Sequence, residues 1–165
     1  MKYYTFDDAF RKEPVENLVT FLNNNEHEEI TIYLYTVGGT LSLGVFLADI
    51  INSRKPLTRI FIADEIHSTG FIFLFLLHRK VDIIISNMVC PYSIIHLCNK
   101  DIGSRSADKE TALESVNLTN EKLISYFSSF LTPKELRLFK KGEDIMLNNF
   151  RLKKILQDDK GRNKS

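Results

Sequence analysis

A run of seven strand-forming residues, Ile30-Thr31-Ile32-Tyr33-Leu34-Tyr35-Thr36, runs almost directly into the pair Gly38-Gly39. β-Branched and aromatic side chains suit a pleated, buried strand. Two adjacent glycines allow a sharp turn that other residues resist. Beyond the pair, Leu43, Phe46, Leu47, Ile50 and Ile51 recur at spacings of three and four. That period predicts a helix over 41–53. A strand, a glycine turn and an amphipathic helix in this order commit the chain to the α/β class.

The rest of the chain extends the alternation. Glu13-Pro14 opens a helical pattern with Val15, Leu18, Val19 and Leu22 on one face, and Asn23-Asn24-Asn25 stops it. Proline suits a first helical position. Strands are predicted at 59–63, 81–86 and 92–97, with a buried helix over 69–78 between the first two. The result is a mainly parallel sheet with flanking helices. Residues 101–110 are polar and read as a surface loop, followed by a long, half-buried helix over 108–130. Thr132-Pro133-Lys134-Glu135 has the form of a capping box with proline at the first turn, and Gly142 ends that helix. Residues 151–165 hold six basic and two acidic side chains. They read as a solvated tail, with 157–165 a flexible basic end.

Composition narrows the function. A chain of 165 residues suits a single domain, 1–165, and 44% hydrophobic residues suffice for a sizeable core. The net charge of +1 gives no field that would gather nucleic acid. The most apolar stretch, Phe71 to Leu77, is far short of the roughly 20 residues a membrane-spanning helix needs. The first fifteen residues carry charges and no apolar core of a secretion signal, so the expected compartment is the cytoplasm. Cys90 and Cys98 make no metal motif and read as core thiols. No cofactor is expected.

Three features are spaced so that they can converge. Ser68, in Ile66-His67-Ser68-Thr69-Gly70, follows Gly38 by 30 residues and stands where a strand gives way to a helix. His96 closes Tyr92-Ser93-Ile94-Ile95-His96. A serine hydroxyl becomes a nucleophile when a base takes its proton. The oxyanion formed by attack on a carbonyl needs backbone N–H groups already aimed at it. Taken singly, each feature has a plainer reading: a turn, a helix cap, a hydrogen-bonded core histidine.

Together these motifs resemble the proteolytic subunit of the Clp protease, ClpP, within the ClpP/crotonase superfamily. The segment Ile32 to Gly44 resembles the family's strand, Asn-Ser-Pro-Gly-Gly turn and following helix, and Asp49-Ile50 continues it. Ile66-His67-Ser68-Thr69-Gly70-Phe71 resembles its Ala-Ala-Ser-Met-Gly-Ala element, at the same spacing from the glycine pair. Ser93-Ile94-Ile95-His96 resembles the Arg-Val-Met-Ile-His strand. The resemblance covers roughly residues 15–147. It implies a ββα superhelix with a long helix after the histidine. It also implies a serine endopeptidase with Ser68 as nucleophile and His96 as base. The oxyanion would meet the N–H groups of Gly39 and Thr69, with Gly38 supporting the turn. Glycine at 39 is expected because the backbone must approach substrate with no Cβ in the way. The implied substrate is a peptide or unfolded protein. The implied assembly is a ring of identical subunits, or of this chain with other ClpP-like subunits, joined through helix 108–130.

The chain also departs from the family pattern. Tyr35, Thr36 and Val37 replace the Asn-Ser-Pro of the turn. The family's aspartate falls near Lys140-Lys141, and a lysine cannot orient a histidine. Glu143 and Asp144 are the acids at hand, with no assignment between them. The 28 residues from Ser68 to His96 are about three more than in the family. The ends are short where the family engages its AAA+ unfoldase, which argues against that partner. A rival reading is therefore a weak or inactive ClpP-like subunit with a structural or regulatory role. A third is a crotonase-type acyl-CoA enzyme, against which Ser68 and His96 count. His67 adjoins Ser68 but points away on an extended segment. Asp64 and Glu65 read as a solvated edge, and Cys98 as core.

Overall fold

The computed structural model describes residues 1–77, 81–86, 93–97 and 109–162. Its elements in chain order are β1 (Lys2–Phe6), α1 (Lys12–Asn24), β2 (Ile30–Thr36), α2 (Leu41–Ser53), β3 (Thr58–Ile66), α3 (Thr69–Leu76), β4 (Asp82–Ile85), β5 (Ser93–Ile95), α4 (Lys109–Phe127), α5 (Pro133–Lys140), β6 (Ile145–Leu147) and α6 (Asn149–Arg162). β1 to β4 form one sheet in sequence order with every pairing parallel. β5 and β6 pair with each other. The result is the mixed α/β, mainly parallel architecture expected from the alternation. Among the described residues no helix is long and apolar enough to cross a membrane.

The chain divides into two compact units, residues 1–94 with 146–165, and residues 95–145. In the first, the parallel sheet needs a crossover between each pair of neighbouring strands, and α1, α2 and α3 supply them. Each buries one face. Val15, Leu18 and Leu22 of α1 are buried, as are Leu47, Ala48 and Ile51 of α2. Burial of the valine, leucine and isoleucine side chains among these stabilises by about 1.5–3 kcal/mol each. α3 is apolar on all sides, and Thr69 to Leu74 are buried without a break. On β2, Ile32 and Leu34 point into the core while Tyr33 and Tyr35 face out, the period of two expected of a strand.

The register between β2 and β3 shifts where the site begins. Leu34 lies opposite Ile62, but Thr36 lies opposite Ile66. Two extra residues of β3 are taken up there. This is why β3 runs three residues past the expected strand end at Ala63, and it sets Ile66 beside the last residue of β2.

Several elements differ from the sequence reading. β1 was not anticipated, and α1 starts at Lys12, which places Pro14 third in the helix rather than first. β5 ends at Ile95 rather than Leu97, and α4 ends at Phe127 rather than Phe130. β6 was also unanticipated. Residues expected to be a solvated tail instead form α6 as far as Arg162, with Leu152, Ile155 and Leu156 buried. These three recur at spacings of three and one, a narrow apolar stripe inside a charged helix. Of the expected loop over 101–110, residues 109 and 110 open α4; its residues 101–108, the expected core thiols Cys90 and Cys98, and the last three residues of the chain lie outside the described residues.

In the second unit, Phe127 packs edge-on to Phe139, with ring centroids 5.4 Å apart, and tilts against Phe130 at 5.3 Å. The capping box at α5 is complete. Glu135 N–H donates to Thr132 Oγ1, and Thr132 N–H donates to Glu135 Oε2. The helix ends in a Schellman motif, in which Gly142 N–H donates to Phe139 O and Glu143 N–H donates to Leu138 O. Gly142 has φ 87°.

Candidate active site

Ser68 is the residue between β3 and α3, and its backbone has φ 51° and ψ −118°. Among the described residues it is the one non-glycine with positive φ. Such a conformation costs about 1–3 kcal/mol and persists where surrounding bonds leave no alternative. Those bonds are present. Ser68 N–H donates to Ile94 O at 2.8 Å, and Ser68 O accepts from Phe71 N–H and Ile72 N–H. Its hydroxyl makes no helix-capping bond, although the residue holds the N-cap position. The plain reading of Ser68 as a helix cap therefore does not apply. A strained strand-to-helix turn whose serine hydroxyl does not cap the helix is how a fold presents a nucleophile.

Gly38 and Gly39 lie against this turn. A Cβ on Gly38 would stand 2.7 Å from Ser68 Cβ and 3.3 Å from Ser68 Oγ. The Gly38 φ is 106°. Thr36, fully buried, accepts the Gly38 N–H on its hydroxyl at 3.1 Å. Gly39 has φ 131°, and a Cβ there would stand 2.6 Å from Phe10 N. The physical reason for glycine at 39 thus differs from the one expected. The backbone of Phe10 occupies the space, donating its N–H to Gly38 O at 2.6 Å and accepting from Thr40 N–H at 2.9 Å. Nothing local in the sequence marks Phe10 for this part.

Thr69 opens α3. Its hydroxyl donates to Gly39 O at 2.7 Å, tying the glycine turn to the serine turn. Among the described residues neither the Gly39 N–H nor the Thr69 N–H has an acceptor. The first N–H groups of a helix have no intrahelical partner and carry its positive end. Gly38, Gly39, Ser68 and Thr69 are therefore gathered within the first unit, with two backbone donors uncommitted.

His67 does not resemble a base. Its Nδ1 accepts the Ile94 N–H at 3.0 Å, and its Nε2 lies 3.2 Å from Glu65 Oε2. Both ring nitrogens are engaged. Glu65 is thus a partner of His67 rather than a solvated edge, while Asp64 is exposed.

His96 and Asp144 meet within the second unit. His96 Nδ1 lies 3.5 Å from Asp144 Oδ1, longer than an N–H···O hydrogen bond of 2.7–3.2 Å. The two side chains are 44% and 66% exposed, so water screens the pair. The carboxylate faces Nδ1 and leaves Nε2 open, the polarity of a histidine oriented by an acid. Asp144 follows the Schellman turn by two residues. Lys140 ends α5 and Lys141 is its C-cap. Glu143 is exposed.

No family model matches the chain, and no curated protein does. Among solved structures it is similar to a point mutant of ClpP1 from Listeria monocytogenes, with a TM-score of 0.69 and 16% sequence identity. The match covers 93% of this chain and 86% of that one. The chain has a ClpP-like α/β fold.

Proposed function

We propose that the chain is a ClpP-like serine peptidase with Ser68 as nucleophile and His96 as base. The observation that carries this reading is the strained backbone of Ser68, whose hydroxyl makes no helix-capping bond. In this reading His96 Nε2 takes the Ser68 proton as Oγ bonds to the scissile carbonyl carbon. The carbonyl oxygen becomes an oxyanion held by the N–H groups of Gly39 and Thr69. Its collapse breaks the C–N bond, and His96 gives the proton to the leaving amine. Water, deprotonated by His96, then releases the acyl group and restores Ser68. Asp144 is the acid that steadies His96. The substrate is a peptide or an unfolded segment.

A fluorophosphonate probe tests this, because it reacts with an activated serine and needs no knowledge of the substrate. Labelling that maps to Ser68, and disappears in Ser68→Ala, is the expected result. Labelling that persists in Ser68→Ala overturns the assignment.

One observation favours a second reading, a weak or inactive subunit that serves assembly or regulation. The His96–Asp144 contact is long and exposed, so the imidazole is poorly held. An unlabelled wild type that still assembles with an active ClpP-like subunit would establish that role. For assembly, Leu118 and Tyr126 leave apolar surface exposed on α4, which suits a subunit contact along that helix. Sedimentation of Leu118→Glu against wild type tests it, with loss of the oligomer expected. An AAA+ unfoldase belongs to this proposal only if the wild type degrades a folded substrate in the presence of one and ATP.

A further inference from the structure

Resting on the reading of Ser68 as nucleophile, we propose that His67 is a positioning residue that holds the Ser68 turn through Ile94. Two consecutive residues of the turn engage both backbone groups of Ile94. Ser68 N–H donates to Ile94 O at 2.8 Å, and Ile94 N–H donates to His67 Nδ1 at 3.0 Å. An imidazole lone pair here does the work of a backbone carbonyl. A ladder of backbone groups alone could not, because the positive φ of Ser68 turns the chain away from strand geometry.

The tautomer is fixed by the same contacts. A neutral imidazole has one acceptor and one donor nitrogen. With Nδ1 accepting from Ile94, the proton sits on Nε2, which faces Glu65 Oε2 at 3.2 Å. Glu65 thus holds the proton away from Nδ1. The ring is anchored from its backbone as well, since His67 N–H donates to Thr36 O at 3.0 Å and His67 O accepts from Gly70 N–H at 2.8 Å. The last residue of β2, the start of α3 and β5 all meet at His67. An alanine at this position would leave the Ile94 N–H without that acceptor and the Ser68 conformation with one constraint fewer.

Two substitutions separate the nitrogens. His67→Asn places an amide oxygen where Nδ1 was and keeps the acceptor for Ile94. His67→Gln reaches the Nε2 position and abandons it. Two readouts are taken on the full chain: the rate of fluorophosphonate labelling, and hydrogen exchange at the Ile94 amide. The expected result is labelling about 100-fold slower in His67→Gln, the scale of a small misplacement of a reacting group. Ile94 exchange should be about tenfold faster, the scale of one lost hydrogen bond. His67→Asn should restore both. Ile94 exchange that ignores His67→Gln overturns the clamp, as does wild-type labelling in that variant. A wild type that never labels, while Ile94 exchange responds as expected, overturns the peptidase reading and leaves the clamp standing.

Discussion

Gly38 lies so close to Ser68 that a Cβ on it would stand 2.7 Å from the Ser68 Cβ. The obstruction is a β-carbon fixed to the backbone, not the end of a flexible side chain, so it cannot swing aside. Gly38→Ala therefore meets a clash and a φ of 106° together. We expect a stability loss of about 1–3 kcal/mol and loss of probe labelling, because the cheapest relief is a shift of the Ser68 turn. Urea denaturation and labelling measure the two effects. A Gly38→Ala chain with wild-type labelling would show that Ser68 does not need its observed place.

Strain at Ser68 makes a second prediction, with opposite signs for stability and activity. Glycine adopts positive φ without steric penalty. Ser68→Gly should therefore raise stability, by about 1 kcal/mol on the low side of the strain range, while abolishing labelling. Ser68→Ala keeps the strain and, with no capping bond to lose, should be close to neutral in stability and equally unlabelled. His96→Ala should lose labelling to the same degree as Ser68→Ala, since nucleophile and base act as one unit. A destabilised Ser68→Gly would mean that the hydroxyl, rather than the backbone, sets the energetics of the turn.

These effects bear on what a linear reading reaches. The expected bounds of β2 and α2 match the observed ones, because β2 sets Tyr33 and Tyr35 outward between buried neighbours and α2 returns Leu47, Ala48 and Ile51 to the core at spacings of three and four. β1 was missed because it buries fully only Phe6 of its five residues, so Lys2 and Tyr3 carry no sign of a sheet. α6 was missed because its charges mask a three-residue apolar stripe. In the candidate site, spacing singled out residues 38, 39 and 68, and the family resemblance implied Thr69. The parts of Phe10 and His67 were not legible. Phe10 acts through its backbone, which any residue but proline shares. His67 acts through one lone pair on a residue 27 positions away, and no local pattern encodes that.

Arg54 gives a prediction away from the site. Its guanidinium donates to Leu22 O at 2.8 Å, Asn25 O at 3.1 Å and Glu28 O at 2.9 Å, gathering the carbonyls at and beyond the end of α1. Partial burial lowers its pKa from the usual arginine value. A lysine has a single point of charge and cannot span the three. Arg54→Lys should cost about 1–3 kcal/mol in stability and leave the rate of probe labelling unchanged at a temperature where the chain is folded. Equal melting of variant and wild type would show that water replaces the guanidinium at no cost.

Asp8 carries a pH prediction. A hydrogen bond from Arg11, 2.6 Å away, and one from Ala9 N–H hold its carboxyl below the usual value of 3.8. The folded chain then keeps Asp8 charged to lower pH than the unfolded chain does. Its contribution is complete above the unfolded value and is lost as pH falls through the folded one. Asp8→Asn should flatten the acid limb of the stability curve below about pH 4 and change nothing near neutrality beyond the lost contact. An acid limb of unchanged slope would assign the loss to other carboxyls.

The last prediction concerns His96 and Asp144. In serine proteases with a buried acid, replacing that acid costs about 10⁴ in kcat. Here the contact is 3.5 Å, and both side chains are substantially exposed. An exposed pair contributes about 0.2–1 kcal/mol, which as a rate is about fivefold at most. Asp144→Asn should therefore slow labelling or peptide hydrolysis by about fivefold or less, and raised salt should produce a similar loss in the wild type by screening the same pair. Glu143→Gln and Lys140→Ala should have no comparable effect, since neither faces His96 as Asp144 does. A wild-type rate equal to that of a buried-acid protease, falling by about 10⁴ in Asp144→Asn, would mean that the working site closes around His96 and expels the water that screens it here. A fall of fivefold or less together with slow wild-type turnover would mean that Ser68 and the two backbone donors carry most of the chemistry, and that the histidine is oriented chiefly by its place at the end of β5.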